Sequence, residues 1–526
     1  MDQRILIVRF GSLGDLLLTT PTVVNLKIAR PGDRITFLTK ERFAPLVEQF
    51  DGVDEVVAIP DKASSFDLLR ALYRLDKQNF DLLVDLHGNL RSWLARKFIT
   101  VNRKVVYPKR RLERRAAVRQ KKIPRAYPHT IDLYNDVLSQ LGLPAPCRRP
   151  LLHPKDLAPE ELPFAEPVHP VVVVAPGAAH PNKQWPPERF AAAVRELHAS
   201  TSARIVWAVT SEDAGKSGLE QTLPPEYFKE LVDFPIEKLA AVIARADVAI
   251  ANDSGIAHLA SAVGTPVVSI FGPTHPVLGF SPRGLYDRVV EVEEPCRPCS
   301  LHGKKPCYRE ERFCFNRITS ADVAEQAGEI IKADCRRERA LLADRDGTVI
   351  VDKDYLSNPD EVELIEGSAE ALKQAAAAGY KLVIVSNQSG VARGFFGLDE
   401  VERVNARLLE LLLQQGVEID ALYYCPHYAN GGSDPEFTRE CDCRKPSPGM
   451  AEQAAQELSI DLRRSVVVGD TLSDLNLGLV IGAQALLVRT GYGREVEKKI
   501  SDVNGFSQRL VFDNLQETVR FLVEKK

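Results

Sequence analysis

The chain has 526 residues, 44% hydrophobic and 27% charged, with a net charge of -4 and 32 glycines and 34 prolines spread along its length. That length exceeds what one hydrophobic core serves, and the balance excludes collagen-like, coiled-coil and mainly disordered chains and argues against a general nucleic-acid coat. No apolar run reaches the roughly 18 residues of a spanning helix and no signal-peptide pattern follows Met1, so a cytoplasmic protein is expected, its 9 cysteines serving as metal ligands or buried residues rather than disulfides.

Short β-rich runs alternate with helical stretches along the chain. Strands are predicted at Ile5–Val8, Leu82–Val84, Val171–Val174, Val248–Ile250 and Val267–Phe271, with helices at Pro187–Ala199 and Ile236–Ala244. Further strands follow at Leu341–Leu342, Lys381–Val385, Val466–Val468 and Leu486–Val488. This is the βαβ rhythm of doubly wound parallel sheets, hence an α/β fold class. The Pro-rich stretch Leu151–Pro170 reads as a connector, and a second boundary falls near Cys335–Glu338, after a helix over Ser320–Lys332. The expected layout is three α/β units, 1–160, 161–335 and 336–526.

The first strand runs into Gly11-Ser12-Leu13-Gly14-Asp15, and an apolar helix follows. Glycines let the backbone turn tightly under a ligand, and a helix start offers free N–H groups to anions. Taken alone, the segment reads better as an ordinary βα turn with Asp15 as a helix-start carboxylate. Pro176-Gly177-Ala178-Ala179 follows the strand Val171–Val174, with Lys183 shortly after, a small-residue loop and cation suited to a diphosphate. Asn252-Asp253-Ser254-Gly255-Ile256-Ala257-His258 also leaves a strand and opens a helix, where a carboxylate or hydroxyl can bind ribose, sugar or phosphate. A half-buried helix residue is at least as good a reading of His258 as a catalytic one.

Two other features stand in this part of the chain. Arg103–Arg125 holds eleven Lys/Arg and a single acid, Glu113, a solvated face or a contact for an anionic partner. Cys296-x-x-Cys299 followed by Cys307 and Cys314 could hold Zn²⁺ or an iron–sulfur cluster, or be unlinked thiols.

These motifs, with Asp81 to Asn89 (DLLVDLHGN) and Phe271-Gly272-Pro273-Thr274, resemble glycosyltransferase family 9 over roughly 1–320. Its members include the ADP-heptose:lipopolysaccharide heptosyltransferases, and APGAAHPNKQWP with NDSGIAH is similar to the second heptosyltransferase type. The resemblance implies a GT-B pair of Rossmann-like domains with the active site in their cleft. It also implies Asp15 as the general base toward the acceptor hydroxyl, inversion at the anomeric carbon, and an ADP-heptose site at Lys183, Asp253, Ser254, Gly255 and His258 that needs no metal. Ala178-Ala179 stand where some heptosyltransferases carry two threonines, leaving backbone N–H groups to hold the diphosphate. The implied acceptor is an anionic lipopolysaccharide core, which favours an acceptor or membrane contact for the basic stretch, peripheral on the inner face of the inner membrane.

In the last third, Asp344-Arg345-Asp346-Gly347-Thr348 ends a predicted strand. Two carboxylates two residues apart can share a pocket, one attacking phosphorus while the other protonates the leaving oxygen. Ser386-Asn387 ends the next strand, Arg444-Lys445 supplies cations, and Gly469-Asp470-Thr471-Leu472-Ser473-Asp474 offers two more carboxylates for Mg²⁺. Cys425-Pro426-His427 and Cys441-Asp442-Cys443 give three thiolates and one imidazole, a closed tetrahedral set for structural Zn²⁺.

Residues of about 339–495 resemble the haloacid dehalogenase superfamily. Within it they are similar to D-glycero-D-manno-heptose 1,7-bisphosphate 7-phosphatases and their histidinol-phosphatase relatives, through DRDGT, SNQSGVARGFF, YYCPH and CDCRKPSPGM. The resemblance implies Asp344 as nucleophile and Asp346 as general acid/base. It implies Mg²⁺ held by the Asp344 carboxylate, the Asp346 carbonyl and Asp470. Ser386, Asn387 and Lys445 would grip the phosphoryl group, with Arg444 on the substrate. Such phosphatases usually carry Lys after the last Mg²⁺ carboxylate, where this chain has Thr471.

The two resemblances together imply a bifunctional enzyme of lipopolysaccharide inner-core heptose metabolism, acting on ADP-heptose and on heptose 1,7-bisphosphate. Two alternatives remain open at the level of sequence. The phosphatase could prefer histidinol phosphate or another small phosphomonoester, and the transferase half could be a non-catalytic or other-donor scaffold.

Overall fold

The computed structural model describes residues 2–121, 127–164, 169–333, 338–500 and 510–524. The chain divides into two units, Met1–Ala333 and Asp334–Lys526. The boundary expected near Cys335 lies outside the described residues, as do Lys122 and Arg125 of the basic stretch and residues 165–168 of the connector.

The first unit carries two parallel sheets. Strands β1 (Arg4–Val8), β2 (Arg34–Lys40), β3 (Glu55–Ile59), β4 (Leu82–Asp85) and β5 (Arg103–Val106) pair in the order β3-β2-β1-β4-β5. Strands β6 (Val171–Ala175), β7 (Arg204–Val209), β8 (Phe228–Val232), β9 (Val248–Asn252), β10 (Val267–Ile270) and β11 (Arg288–Val290) pair as β11-β10-β9-β6-β7-β8. The central strands β4, β9 and β10 are buried along their full length, as strands with helices on both faces must be. One apolar cluster runs from Ile7 and Phe37 of the first sheet to Val173 and Ala249 of the second, joining both sheets in one core. A separate cluster lies on the first sheet's other face, beneath the helices Ser65–Asp76 and Leu90–Phe98.

The second unit repeats the plan with β12 (Arg339–Ala343), β13 (Tyr380–Asn387), β14 (Ala421–Cys425), β15 (Val466–Gly469), β16 (Gln484–Val488) and β17 (Val511–Phe512), in the order β14-β13-β12-β15-β16-β17. It has its own core, from Leu341 and Ile384 to Leu408, Val468 and Val519.

In each sheet the strand order reverses once, between β1 and β4, between β6 and β9, and between β12 and β15. Connections leave in opposite directions there, and a crevice opens at the carboxyl ends of the two strands. Gly11 to Asp15 and His87 follow β1 and β4. Gly177 and Asp253 follow β6 and β9. Asp344 and Asp470 follow β12 and β15. The candidate residues therefore fall where this topology leaves room for a ligand.

Two candidate active sites and a candidate metal centre

In the first unit the chain leaves β1 through Gly11, whose φ of +128° suits glycine, and enters the helix Leu13–Leu17 carrying Asp15. A Cβ on Gly14 would lie 2.5 Å from the His258 ring, and one on Gly255 would lie 2.9 Å from the Leu13 Cβ. The two glycines thus let this helix and the helix Gly255–Ala262 pack at close range, bringing the first and last motifs of the unit into one cleft.

Asp15 is fixed on three sides. Arg9 Nη2 lies 2.6 Å from its Oδ2, Ser12 Oγ donates to Oδ2 at 3.1 Å, and Tyr134 Oη donates to Oδ1 at 3.3 Å. Burial pushes the carboxyl up, but the neighbouring guanidinium overrides this and holds it below the usual carboxylate range. Arg9 is itself anchored by donating to the Leu86 carbonyl at 2.5 Å. His258 is buried, which holds its imidazole below the ordinary histidine value, and its Nδ1 has no hydrogen-bond partner.

On the other wall Lys183 Nζ sits 2.6 Å from Asp253 Oδ2, which also accepts from Thr274 Oγ1 at 2.6 Å. Lys183 and Asp253, read separately in the sequence, are thus one ion pair. Ser254 caps the helix Gly255–Ala262, and its Oγ is buried without a partner. The basic stretch is not uniformly solvated: Arg114 is buried, donates to Thr130 Oγ1 at 2.9 Å, and stacks on Phe280, while Arg111, Arg115 and Arg119 are exposed.

In the second unit Asp344 follows β12 with its carboxylate buried. Lys445 Nζ lies 2.8 Å from Asp344 Oδ1 and 2.6 Å from Asp474 Oδ1, and donates to the Val385 carbonyl at 2.8 Å. Burial lowers the tendency of Lys445 to hold its proton, but the two carboxylates override this and raise its pKa. Burial and Asp474 push the Asp344 carboxyl up, opposed by Lys445. Asp470 accepts from the Tyr492 N–H at 2.7 Å, and burial pushes it up to about 7.

Asp346 is held by Arg345, whose Nε and Nη2 lie 3.1 and 3.2 Å from its oxygens, and by Gln388 Nε2 at 2.8 Å. Ser386 Oγ donates to Asp346 at 3.4 Å and accepts from Gln388. Asn387 exchanges side-chain hydrogen bonds with the Lys445 backbone at 3.0 and 3.2 Å, so its amide braces the lysine. Thr471 caps the helix Leu472–Ile481 and donates to Asp474 at 2.5 Å, orienting the carboxylate that Lys445 contacts.

Among the described residues, two groups bring three or more metal-ligating atoms within 4.8 Å of one another. One is Asp344, Asp470 and Asp474, all buried. Asp470 Oδ1 there has no hydrogen-bond partner, and a Cβ at Gly347 or Gly491 would fall 2.4 or 2.1 Å from Asp470 Oδ2. An oxygen-only donor set with an orphaned buried oxygen fits Mg²⁺. The other is Cys425, His427, Cys441 and Cys443. Their sulfurs lie 3.1, 3.3 and 3.5 Å apart and His427 Nδ1 is 3.3 Å from Cys443 Sγ, close to the roughly 3.7 Å edges of a tetrahedron with Zn–S bonds of about 2.3 Å. The Arg444 N–H points at Cys441 Sγ, 3.3 Å away. Cys296, Cys299, Cys307 and Cys314 line one cavity of about 20 Å³, but their sulfurs do not form a third such group.

Several participants were not legible in the sequence. Arg9 and Tyr134 come from segments without a motif, and Thr274 ends the Phe271-Gly272-Pro273-Thr274 motif without any sign there of its hydrogen bond to Asp253. Asp474 had a signal, a second acid four residues after Asp470, but its pairing with Lys445 required the fold.

A lysine held between two buried acids at a doubly wound switch point, in a chain whose other unit has two sheets with an interlocking glycine-rich turn and helix start, points to a phosphoryl-transfer hydrolase joined to a GT-B glycosyltransferase. Comparisons with known proteins agree with both halves. Residues 68–307 match the model of glycosyltransferase family 9 (heptosyltransferase), residues 341–478 that of polynucleotide kinase 3 phosphatase, and residues 442–518 a HAD-hydrolase-like model. The D-glycero-beta-D-manno-heptose-1,7-bisphosphate 7-phosphatase of Pasteurella multocida is 44% identical over 157 residues, 29% of this chain and 83% of that protein. The Pseudomonas putida protein of the same name is 38% identical over 187 residues, 35% of this chain and 99% of that one. A glycosyl transferase family 9 structure from Veillonella parvula superposes with a TM-score of 0.52 at 21% identity, covering 63% of this chain and 98% of that one, which shows the shared fold. The chain belongs, through its second unit, to the heptose bisphosphate phosphatase family of haloacid dehalogenase-type hydrolases, and its first unit is of glycosyltransferase family 9.

No helix among the described residues is long and apolar enough to cross a membrane.

Proposed function

We propose that this chain hydrolyses the 7-phosphate of D-glycero-D-manno-heptose 1,7-bisphosphate and transfers heptose from ADP-heptose to an anionic lipopolysaccharide core. The observation that carries the phosphatase assignment is the buried Asp344–Lys445–Asp474 array, supported by relatives of that name matched over most of their length. Asp344 attacks phosphorus and forms an aspartyl phosphate. Lys445 holds the nucleophile in place and offers positive charge to the phosphoryl oxygens. Asp346, oriented by Arg345 and Gln388, gives a proton to the leaving oxygen and then takes one from the attacking water. Mg²⁺ would be held by Asp344, the Asp346 carbonyl and Asp470, with Asp474 adjoining, and would neutralise charge on the phosphoryl group. Zn²⁺ at Cys425, His427, Cys441 and Cys443 would fix the loop that delivers Arg444 and Lys445. A second metal at Cys296, Cys299, Cys307 and Cys314 requires those sulfurs to draw together.

For transfer, Asp15 is ionised at neutral pH and accepts the acceptor hydroxyl's proton as the anomeric carbon is attacked. Arg9 keeps one of its oxygens occupied and so fixes its direction. Lys183, steered by Asp253, and the free N–H groups at Ser254-Gly255 face the diphosphate that leaves. The proposed layout within this unit keeps 1–160 as the acceptor side and 161–335 as the donor side.

Two measurements test the reading. kcat/KM for heptose 1,7-bisphosphate should exceed that for histidinol phosphate, and the opposite order overturns the phosphatase assignment. Calorimetry should show ADP-heptose bound in preference to ADP-glucose, with binding lost in Asp253→Ala. Absence of binding to either donor overturns the transferase assignment.

A further inference from the structure

The outer face of the first sheet has an unusual surface. It is covered by the helices Ser65–Asp76 and Leu90–Phe98, which pack on each other and bury Leu68, Leu72, Leu75 and Ala95 inward. Outward, the first helix exposes Phe66 (73%) and Tyr73, and the second exposes Leu90 (74%), Trp93 (43%) and Phe98. Large apolar side chains are normally scattered singly on a surface, whereas these five stand on two neighbouring helices.

Cations are interleaved with them. Arg70, Arg74 and Lys77 accompany Phe66 and Tyr73, with Lys77 Nζ 4.4 Å from the Tyr73 ring centre. Arg91 and Lys97 accompany Leu90 and Trp93, with Lys97 Nζ 5.8 Å from the Trp93 ring centre. The second helix has no carboxylate, and the two on the first are turned to other work. Asp67 accepts from Ser64, capping its own helix, and Asp76 accepts from the Thr100 N–H. The face is therefore apolar, aromatic and positive.

We propose that this face docks the protein on an anionic lipid bilayer, with the aromatic and leucine side chains at the headgroup–acyl boundary and the arginines and lysines on the headgroups. Charge complementarity selects the occupant. Amphipathic tips such as Trp and Tyr favour the interface, and each cation near an anionic surface adds attraction that salt screens. The second helix is capped by Asn89, two residues past His87, whose ring is close enough to Asp15 to feel its charge. Docking through this face would bring the Asp15 side of the unit toward the bilayer. The inference concerns lipid, and it stands or falls independently of the sugar substrates proposed above.

Trp93 supplies a direct readout, because the other two of the 3 tryptophans, Trp185 and Trp207, are buried. The intact protein is mixed with vesicles rich in phosphatidylglycerol and with vesicles of phosphatidylcholine alone. Expected are binding to the first and not the second, a blue shift of tryptophan emission, protection from an aqueous quencher, and loss of all three at high salt. Trp93→Phe should bind with no spectral shift. Replacing Arg70, Arg74, Arg91 and Lys97 together by Glu should weaken vesicle binding roughly a hundredfold or more. No binding to anionic vesicles overturns the proposal. So does binding that leaves Trp93 emission and quenching unchanged, which places the contact elsewhere, such as on the Arg111–Gln120 helix. Protection of Trp93 by self-association without lipid also overturns it, in favour of a second copy of the chain.

Discussion

Asp474 stands one contact behind the reacting atoms, yet its carboxylate lies 2.6 Å from the lysine that touches Asp344. Replacing it by Asn removes the charge that, with Asp344, holds Lys445 between two acids. The lysine would then pair with the nucleophile alone and blunt it. Asp474→Asn should lower phosphatase kcat by about 10²-fold, the scale seen when one preorganised electrostatic partner is lost. An unchanged steady-state kcat would show that Lys445 needs no such partner. Thr471 acts on the same carboxylate through its hydroxyl. Thr471→Ser should therefore retain activity, and Thr471→Val should lower kcat by about tenfold and leave an unpaired cap. At this scale the sequence displays chemistry but not partnership. Asp344, Asp346, Asp470 and Lys445 lie in short motifs that suggest their proposed roles. The bracing of Lys445 by Asn387, and of Asp15 by Arg9 and Tyr134, joins residues up to 119 positions apart and has no local signature.

Elements differ in how plainly the sequence announces them. Strands buried on both faces, such as β4, β9 and β15, are continuous apolar runs and read directly. Edge and near-edge strands, β3 (EVVAI), β5 (RKVV) and β8 (FKELV), mix exposed charge with apolar residues and merge with their loops. The helix Ile236–Ala244 has the expected bounds, because Pro235 precedes it and its apolar stripe ends with it. The helix Thr130–Leu141 depends on tertiary context. His129 caps it by accepting from the Ile131 N–H through Nδ1, while Nε2 donates to the Ser281 carbonyl at 2.9 Å. That geometry uses the neutral ring, and burial lowers its pKa to about 4. An unfolded histidine titrates near 6.5, so from that pH down to about 4 the unfolded chain holds a proton the folded one refuses. Stability from this group is complete above about 6.5 and falls with pH at up to about 1.4 kcal/mol per pH unit. Urea midpoints of the first unit should decline between neutral pH and pH 5, less steeply in His129→Asn. Equal slopes would contradict the assignment.

The candidate metal loop of Cys425, His427, Cys441 and Cys443 is a second element whose order needs more than backbone propensity. Its four ligands lie in two short pairs on either side of a loop, and Arg444 and Lys445 follow the second pair directly. Elemental analysis should find about one equivalent of Zn²⁺ per chain, for a single closed site of four ligands. Chelation should lower phosphatase kcat and the Tm of the second unit together, since the loop would no longer present Lys445 to Asp344. A folded, fully active and metal-free protein would remove zinc from this account, while iron or a second equivalent would locate metal at Cys296 to Cys314.

For the whole molecule, the three-sheet plan and the division of labour were visible in the order of motifs, whereas the interlocking of Gly14 with His258 was visible only once the strands were placed. Each proposed catalytic carboxylate draws its partners from its own unit: Arg9, Ser12 and Tyr134 for Asp15, and Arg345 and Lys445 for Asp344. Each unit also has its own core. The two chemistries should therefore be separable by single substitutions in the intact chain. Asp344→Asn should reduce phosphatase turnover by at least about 10³-fold, as loss of a covalent nucleophile does, and leave heptose transfer within about twofold. Asp15→Asn should do the reverse, because an amide cannot take the acceptor's proton while Arg9 and Tyr134 still surround it. Both activities measured on each variant, beside unfolding midpoints to exclude a folding defect, form a four-way comparison. A variant that lost both activities while remaining folded would mean that the sites are coupled, and the independence argued from their partners would be wrong. Residual phosphatase turnover near the unmutated level in Asp344→Asn would instead move the nucleophile away from β12.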